Sequence, residues 1–329
     1  MTVRVGIVGS GFAGSTHARA CLAIDGIAVV AIAAATEEEA APLARECGAR
    51  ATGSVEDLFS DRSIEVIVVA SPTYLHADHA TGAANAGKHV FCEKPLARTL
   101  AEADEIVEAC ERAKITLGVG HVVRFFPEYM RAKELLDAGA LGRPGLATLT
   151  RGTFAVGRSR GWYLDEAKSG RVLLDLMLHD LDTARWWFGE PALVHGRTVG
   201  GTEGLDYALA TLRYPDRPIV HLEASWAEHA GFRTTFEIRG ERGMLSHDSH
   251  AAAPFQVQAP PVDGLPAVMP ATSTHETPYA RQLRSFFARL AAGQSPVVGA
   301  RDGYNSLALA LAVARAARLR TVVEWRAPA

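Results

Sequence analysis

The sequence predicts an α/β protein with two domains: a doubly wound parallel sheet over residues 1–121, then an α+β domain over residues 122–329 with a large open, mainly antiparallel sheet. Two observations carry this prediction. In the first segment, short apolar runs alternate with helical segments, as in parallel sheets whose strands are joined by helices. In the second segment, several strand-like runs follow one another directly, which indicates antiparallel hairpins.

The composition is that of an ordinary globular protein. Hydrophobic residues make up 48% of the 329 residues and charged residues 22%, so one or two domains with a large core are expected. The net charge of −3, with mixed signs throughout, gives no basic footprint for nucleic acid or for a membrane surface. No apolar run approaches the roughly 20 residues of a membrane helix, and no signal peptide precedes the first strand pattern.

The four cysteines indicate reduced thiols rather than a disulfide framework or a zinc site. They are Cys21, Cys47, Cys92 and Cys110. None forms a C-x-x-C pair, which disfavours structural zinc, and no metal is predicted. This usage of cysteine favours a cytoplasmic location.

In the first domain, the strands read as apolar runs without polar alternation, as expected when helices cover both faces of a sheet. Strands are predicted at residues 3–8, 27–35, 65–71, 89–92 and 116–121, with a weaker one near Ala51. Helices are predicted at residues 13–24, 37–47, 76–86 and 99–114.

The second domain begins with two helices, at 127–138 and 171–188, and the second of these is apolar almost all round. Strands are predicted at residues 193–199, 205–214, 218–226, 232–239 and 243–247, with hairpin turns at 215–218 and 239–243. A proline-containing loop over 259–275 and two helices, at 276–292 and 302–319, close the chain.

A glycine-rich turn, Gly9-Ser10-Gly11-Phe12-Ala13-Gly14, follows the first strand. The G-x-G-x-x-G motif is weak evidence alone, but here it ends a strand and opens a helix, which is the context that a dinucleotide site requires. Glycines permit a tight turn and a close approach to a pyrophosphate, and the helix N-terminus supplies free N–H groups. We therefore predict cofactor contacts at Gly9, Gly11, Phe12, Ala13 and Gly14. The alternative is a plain strand–helix turn.

The residues after the second strand bear on the choice between NAD and NADP. The position near Ala34, where an acid that binds the ribose is expected, carries no acid, and no arginine or lysine stands there for a 2′-phosphate. Thr36 and Glu39 fit a helix capping box. The three glutamates at 37–39 would repel a 2′-phosphate, so the sequence favours NAD over NADP. Ala34 and Thr36 are the predicted contacts.

An apolar strand, HVFC, ends on Glu93, Lys94 and Pro95. Proline cannot donate to a sheet ladder and keeps the preceding residue out of the helical region. Lys94 is therefore expected in a fixed backbone at the C-terminal end of a parallel strand, where ligands bind in such sheets. A surface lysine in a loop is the alternative.

On the apolar helix 171–188, Asp175 and His179 stand at i and i+4, with Asp182 almost one turn further. Polar groups on such a helix are expected to be buried and costly unless they serve something. Three interpretations remain open: a structural Asp–His pair, a metal site in the pattern D-x-x-x-H-x-x-D, or acid–base groups that face a cleft.

Together these motifs resemble the Gfo/Idh/MocA oxidoreductases, the relatives of glucose-fructose oxidoreductase and inositol dehydrogenase, over essentially the whole chain. The matching segments are the glycine turn, Ser71-Pro72-Thr73-Tyr74-Leu75-His76, Glu93-Lys94-Pro95, Gly120-His121 with Arg124-Phe125, Asp175-x-x-x-His179-x-x-Asp182, and Arg301-Asp302-Gly303. The chain departs from the usual pattern at Thr73, at Val122-Val123 and at Gly170-Arg171.

The resemblance implies a Rossmann domain, a nicotinamide dinucleotide, and a sugar, an inositol or a related polyol as substrate. It also implies an open sheet that often supports a homodimer or homotetramer. The implied catalytic residues are Lys94, Asp175 and His179. Further cofactor contacts are expected at Ser71, Pro72, Thr73, His76, Glu93 and Lys94. Substrate contacts are expected at Lys94, Arg124, Trp162, Tyr163, Asp175 and His179.

Hydride transfer from a carbinol carbon needs these residue types. A base with a pKa near neutrality must take the hydroxyl proton, which suits His179. A fixed cation must stabilise the charge that builds on the oxygen, which suits Lys94. Asp175 would hold a substrate hydroxyl or orient the site. Glu93 is left with two roles, organising the backbone or binding the cofactor amide.

Other features carry weaker hints. Trp162 and Tyr163 fit either a sugar-binding surface or the core. Arg158, Arg160 and Arg171 fit either an anionic substrate group or a solvated loop. Two further functions stay open: an NAD-dependent glycosidase that acts by transient oxidation, and a non-catalytic dinucleotide-binding regulator, although the joint presence of the three catalytic residue types argues against the regulator.

Overall fold

A computed structural model describes residues 2–154, 161–201, 205–216, 218–252, 255–258, 268–269 and 276–328. The chain divides into two compact units. Unit 1 comprises residues 1–125 and 275–304, and unit 2 comprises residues 126–274 and 305–329. The units therefore differ from the two continuous segments that the sequence predicts, because a piece from near the C-terminus belongs to unit 1.

The strands are β1 Val3–Val8, β2 Ile27–Ala33, β3 Arg50–Thr52, β4 Val66–Val69, β5 His89–Cys92, β6 Leu117–Val119, β7 Pro144–Gly152, β8 Leu193–Val199, β9 Tyr207–Arg213, β10 Ile219–Ser225, β11 Arg233–Gly240, β12 Met244–Asp248, β13 Phe255–Gln258, β14 Val268–Met269 and β15 Val323–Glu324. The α-helices are α1 Phe12–Leu22, α2 Glu37–Cys47, α3 Glu56–Ser60, α4 His76–Asn85, α5 Leu100–Ala113, α6 Pro127–Asp137, α7 Glu166–Ser169, α8 Leu178–Phe188, α9 Pro278–Ala291 and α10 Ala300–Leu319. The predicted loop over 259–275 lies outside the described residues except at β14.

Unit 1 contains the predicted doubly wound parallel sheet, in the order β3-β2-β1-β4-β5-β6. All its strand pairs are parallel, and β4 is buried along its whole length. The order reverses between β1 and β4, and a sheet of this kind binds ligands at the carboxyl ends of the strands beside that reversal. The glycine turn and the Lys94 segment both leave the sheet at carboxyl ends, after β1 and after β5.

Helix α9 completes the core of unit 1. Its buried side chains Leu283, Phe286 and Phe287 belong to the same apolar cluster as residues of β1, β2 and α1. A Cβ atom on Gly118 would stand 2.7 Å from the Phe286 ring, so glycine at this point of β6 lets the helix approach the sheet. The amphipathic segment near the C-terminus is therefore part of the dinucleotide-binding fold.

Local sequence signals explain the ends of several helices in unit 1. Thr36 accepts a hydrogen bond from the Glu39 N–H at 3.3 Å, as the predicted cap of α2 requires. At the start of α5, Thr99 and Glu102 form a complete capping box. None of the helices in the described part of the chain combines the length and the apolar character of a membrane-spanning segment.

Unit 2 contains a nine-stranded sheet in the order β14-β13-β12-β11-β7-β10-β9-β8-β15. The sheet is mixed and mainly antiparallel, because β7 and β10 pair in parallel. Strand β7 is missing from the sequence prediction, although it lies near the centre of the sheet between β10 and β11. It begins with Pro144 and Gly145, which are poor strand formers, so its neighbours rather than its own residues define it.

The predicted helix 171–188 is not a uniform α-helix. A π-helical turn occupies Leu173–Met177, and α8 follows it directly. Ahead of the turn, Gly170 and Arg171 both have positive φ, at +67° and +52°. A period of 3.6 residues does not reveal a π-helical turn, and such turns occur frequently at functional sites.

Candidate active site

The turn between β1 and α1 has no room for side chains at two of its glycines. Gly9 has φ +107°, and a Cβ atom there would stand 2.4 Å from the Ala70 carbonyl oxygen. A Cβ atom on Gly14 would stand 1.9 Å from the Gly9 carbonyl oxygen. Gly11 begins α1 without a side-chain cap, so the first N–H groups of the helix remain for an anion. These residues fit the pyrophosphate of a dinucleotide, beside the exposed ring of Phe12.

The end of β2 carries acids and no cation. Ala34 is half-buried, and Thr36 and the three glutamates that follow it are exposed. The pKa of Glu38 is lowered by hydrogen bonds from its own backbone N–H and from the Thr36 side chain. The first turn of α2 is therefore negative at neutral pH, as the prediction of NAD over NADP requires.

Lys94 follows β5 and is the half-buried residue in a run of buried ones, Phe91 to Ala97. Its peptide bond with Pro95 is cis. The backbone on both sides of Lys94 is held by buried side chains. The lysine side chain therefore leaves a fixed backbone at the carboxyl end of a parallel strand.

Glu93 holds the backbone on the N-terminal side of Lys94. Its carboxylate is 8% exposed and lies 2.6 Å from His17 Nε2 through Oε1, while Oε2 accepts the Lys94 N–H at 2.9 Å. Burial alone would raise the pKa of Glu93, but His17 and Lys94 lower it below its usual range. These contacts support the first of the two roles that the sequence left open for Glu93, the organisation of the backbone, and a contact with the cofactor amide stays a prediction.

His76 holds the backbone on the C-terminal side of Lys94. Its Nδ1 lies 2.8 Å from the Pro95 carbonyl oxygen and its Nε2 lies 3.0 Å from the Ser71 carbonyl oxygen, with the ring 1% exposed. Burial lowers the pKa of His76 and outweighs the two carbonyl oxygens, which favour the charged ring. Both ring nitrogens thus face carbonyl oxygens of the protein, and the neutral ring can donate a hydrogen bond to one of them. His76 lies between two loops at the carboxyl ends of the strands, and its contact with a cofactor stays a prediction.

The loop after β4 carries the remaining predicted cofactor residues. Ser71 and Pro72 are half-buried, and Thr73 is 8% exposed. The hydroxyl of Ser71 lies 2.9 Å from Nδ1 of His79, a residue that the sequence interpretation did not single out. Contact of these three residues with a cofactor stays a prediction.

Arg124 is predicted to contact substrate, but its side chain serves the fold of unit 1. It is 7% exposed and forms an ion pair with Asp302 at 2.9 Å between Nη2 and Oδ1. Asp302 also accepts the Gly299 N–H at the start of α10. The motif Arg301-Asp302-Gly303 thus anchors Arg124, and a contact between Arg124 and substrate stays a prediction.

In unit 2, Asp175 and His179 are half-buried while the residues around them, from Val172 to Leu178, are buried. Asp175 lies within the π-helical turn and His179 in the first turn of α8. Both side chains are thus less buried than the apolar helix predicts. They form a polar stripe on an otherwise apolar helix, and their action on a ligand stays a prediction.

The two aspartates that follow are buried and engaged. Asp180 is 1% exposed and accepts two hydrogen bonds from Arg151, at 3.0 and 2.8 Å. Asp182 is 0% exposed and accepts a hydrogen bond from the Ser306 hydroxyl at 2.7 Å. Asp182 thus differs from the half-buried pair, and within the described ranges no group of three or more metal-ligating side chains is arranged to hold an ion.

The structure describes the aromatic pair of unit 2 and one of its three arginines that were considered for substrate binding. Trp162 and Tyr163 stack with ring centroids 4.0 Å apart, and both are half-buried. Arg171 donates two hydrogen bonds to buried Asp206, at 2.5 and 2.6 Å, so its charge is neutralised within the protein. Arg158 and Arg160 lie outside the described residues.

Fold and site define a dinucleotide-binding oxidoreductase. Profiles of the oxidoreductase family with an NAD-binding Rossmann fold and of the GFO/IDH/MocA C-terminal domain match residues 3–121 and 129–246. The chain belongs to the GFO/IDH/MocA family. It is an NAD(P)-dependent dehydrogenase that transfers hydride between nicotinamide and a carbinol carbon.

Similar proteins span nearly the full chain. Myo-inositol 2-dehydrogenase of Thermotoga maritima is 26% identical over 94% of this chain and 95% of its own. Inositol 2-dehydrogenase 2 of Saccharopolyspora erythraea is 30% identical over 94% of this chain and 91% of its own. The structure of a levoglucosan dehydrogenase in complex with NADH and levoglucosan has a TM-score of 0.89 and 27% identity, covering 98% of this chain and 99% of that one.

Proposed function

We propose that the chain oxidises a hydroxyl group of an inositol or of a compact sugar with NAD, and that Lys94, Asp175 and His179 carry the reaction. The observation that supports this most is the placement of Lys94, half-buried in a backbone held on both sides by Glu93 and His76. The names of the relatives supply the substrate class, since they act on inositol and, in the solved structure, hold levoglucosan.

In unit 1, the ammonium of Lys94 would stabilise negative charge on the substrate oxygen. One such donor contributes roughly 2.7–4 kcal/mol to the transition state when it is fixed in advance. The hydrogen bonds of Glu93 and His76 to the backbone beside Lys94 would fix the ammonium in advance, and a donor that is already in place needs no reorganisation during the reaction. Bound nicotinamide supplies the acceptor for the hydride.

In unit 2, His179 would accept the hydroxyl proton and Asp175 would hold a neighbouring substrate hydroxyl. Both side chains lie half-buried on the same apolar helix, so neither pays the full cost of burial and both can reach a ligand. Trp162 and Tyr163 would face the apolar side of a sugar ring. These roles rest on the matching motif and on half-burial.

The test is a panel of myo-inositol, levoglucosan, common hexoses and sugar acids, with NADH formation followed by absorbance. We expect Lys94→Ala to lower turnover at least about a hundredfold with the best substrate, while the dissociation constant of NADH stays close to that of the unchanged protein. Lys133→Ala, which removes a lysine from the surface of α6, is the matched control. Near-normal turnover of Lys94→Ala would refute the proposed role, and tightly bound NAD without net reduction would indicate the transient-oxidation glycosidase.

NAD is proposed over NADP because the first turn of α2 carries Glu37, Glu38 and Glu39 and no cation. Dissociation constants of the two reduced cofactors, measured side by side by fluorescence, test this preference. Tighter binding of the phosphorylated cofactor would contradict it.

A homodimer or homotetramer through the open sheet of unit 2 is also proposed. Strands β9 and β10 alternate buried and exposed residues, and the exposed face carries Tyr207, Leu209 and Ile219, each 44–53% exposed. Light scattering would contradict the proposal by showing a monomer at micromolar concentration.

A cytoplasmic location is also proposed, because all four cysteines are free thiols in the structure and would stay reduced there.

A further inference from the structure

His17 is a buried polar residue that the reaction described above does not use. It lies on α1, three residues after Gly14, and is 0% exposed. Its Nε2 lies 2.6 Å from Oε1 of Glu93, on a segment far away in sequence. Its Nδ1 has no hydrogen-bond partner among the described residues. The polar contact of the ring is therefore directed at Glu93.

Glu93 passes this contact on to the backbone of Lys94. One carboxylate oxygen meets His17, and the other accepts the Lys94 N–H at 2.9 Å. The carboxylate cannot rotate to a new position without losing one of these hydrogen bonds. Two contacts thus join the helix that opens at the glycine turn to the amide of the lysine.

The surroundings leave this chain of contacts little freedom. The ring of His17 meets Phe91 and Tyr279 edge-on, with centroids 5.3 and 5.7 Å away. On the far side of Glu93, a Cβ atom on Gly120 would stand 2.9 Å from the carboxyl carbon, so any larger residue would displace it. Aromatic rings hold the histidine, and a close backbone holds the carboxylate.

Burial of the His17–Glu93 pair is not explained by a gain in stability. Burying a charged or strongly polar pair gains little over apolar residues of the same volume, and often less. An apolar side chain at position 17 would pack against Phe91 and would not need a carboxylate in the segment after β5. The pair is better explained by what it fixes than by the free energy of unfolding it contributes.

We propose that His17 is a positioning residue, which acts through Glu93 to set the backbone of Lys94 relative to the glycine turn. The inference rests on the proposed role of Lys94 for its effect on turnover, but its effect on the Lys94 amide does not depend on that role. Binding of the dinucleotide at the N-terminus of α1 and placement of the lysine would then share one rigid connection.

The first experiment measures hydrogen exchange of the Lys94 amide in the protein without cofactor, by fragmentation of the peptide that spans residues 90–97. His17→Phe keeps an aromatic ring but removes the contact with Glu93. We expect the Lys94 amide to exchange about tenfold faster in this variant, because Glu93 loses one of the two contacts that hold its carboxylate against the amide. His17→Gln, which can still present a donor to Glu93, should exchange within about twofold of the unchanged protein.

His89→Phe is the matched control, since His89 lies at the other end of β5 and accepts the Thr116 N–H. It should leave the Lys94 amide unchanged. If His17→Phe does not fold, His17→Asn replaces it, because its amide is too short to span the distance to Glu93. Unchanged exchange at Lys94 in a folded His17→Phe or His17→Asn protein would overturn the proposal.

The second experiment is a double-mutant cycle on turnover. Displacing a catalytic group slightly costs about ten- to a hundredfold, so His17→Phe should lower kcat by that factor in the unchanged background. In the Lys94→Ala background the same substitution should change kcat by less than about twofold. Equal losses in both backgrounds would mean that His17 only stabilises the fold. Undiminished turnover of Lys94→Ala alone would instead refute the proposed function and leave the exchange result standing.

Discussion

Each unit places a buried carboxylate directly next to a half-buried residue that we propose as catalytic. In unit 1 Glu93 precedes Lys94, and in unit 2 Asp180 follows His179. Both carboxylates form a hydrogen bond with a buried nitrogen-bearing side chain on another element, Glu93 with His17 on α1 and Asp180 with Arg151 on β7. In both units, the carboxylate beside the proposed catalytic residue is thus held by a side chain that is distant in sequence.

The difference lies in the partner. Asp180 accepts hydrogen bonds from Arg151, whose guanidinium is always charged. Burial alone would lower the pKa of this guanidinium, but Asp180 and Tyr129 have the larger effect and raise it. Glu93 meets His17, and the other tether of the Lys94 segment is His76, so unit 1 relies on imidazoles. The support around Lys94 therefore contains imidazoles, and burial lowers the pKa of His76, whereas the support around His179 contains a guanidinium.

Removing the carboxylate in unit 2 should have the largest effect. Asp180→Asn leaves Arg151 charged, buried and without its counter-ion, which costs about 3–5 kcal/mol of the free energy of unfolding. Denaturation by urea measures the loss. Replacing both partners, Arg151→Met with Asp180→Leu, should recover at least half of the lost free energy of unfolding. A loss below about 1 kcal/mol for Asp180→Asn would show that the ion pair is not essential to the stability of unit 2.

The titratable support in unit 1 should show itself in the pH dependence of stability. Burial lowers the pKa of His76 below its usual value of 6.5, so the unfolded chain binds the proton more readily. The stability that His76 contributes is complete above pH 6.5 and is lost as the pH falls below it. The pKa of Glu93, lowered from 4.5, acts with the same sign only in more acidic solution.

We therefore expect the midpoint of thermal unfolding to fall between pH 7.5 and 5.5, and to fall less in His76→Gln than in the unchanged protein. Half-buried His79 and His89, whose pKa values are also lowered by burial, remain in both proteins; only the pKa of His79 is lowered further by His76, so only His79 responds to the substitution. Identical pH profiles for the two proteins would contradict the claim that the Lys94 segment rests on a titrating group.

The smallest loss in the free energy of unfolding is expected for a surface ion pair in unit 2. Lys133 and Asp137 lie one turn apart on α6, with 2.5 Å between Nζ and Oδ1. Lys133→Ala should cost only about 0.3–0.5 kcal/mol, as exposed pairs at this spacing do. A loss comparable to that of Asp180→Asn would remove the distinction between buried and exposed pairs on which the comparison depends.

The sequence predicts what is local and misses what is not. Runs such as VIVV and the cap at Thr36 define their elements through nearby residues, and the structure confirms them. The partner of Glu93 could not be found this way, because His17 is 76 positions away and looks like one more residue on the buried face of a helix. The ion pair of Arg124 with Asp302 and the place of β7 depend in the same way on distant neighbours.

The three residues that we propose as catalytic could be selected from the sequence because they stand in short motifs. Their surroundings were not. A helical period of 3.6 residues describes α8 but not the π-helical turn before it, so the half-burial of Asp175 and His179 could not be predicted.

Unit 1 contains residues from both sides of unit 2 in the sequence, so its last segment is synthesised only after most of unit 2. The dinucleotide fold begins at the N-terminus, yet its core waits for Leu283, Phe286 and Phe287 of α9. Residues 126–274 are translated in between, which takes about 7–30 s at 5–20 residues per second. During that time the apolar residues of α1 and β2 lack the packing that α9 later supplies.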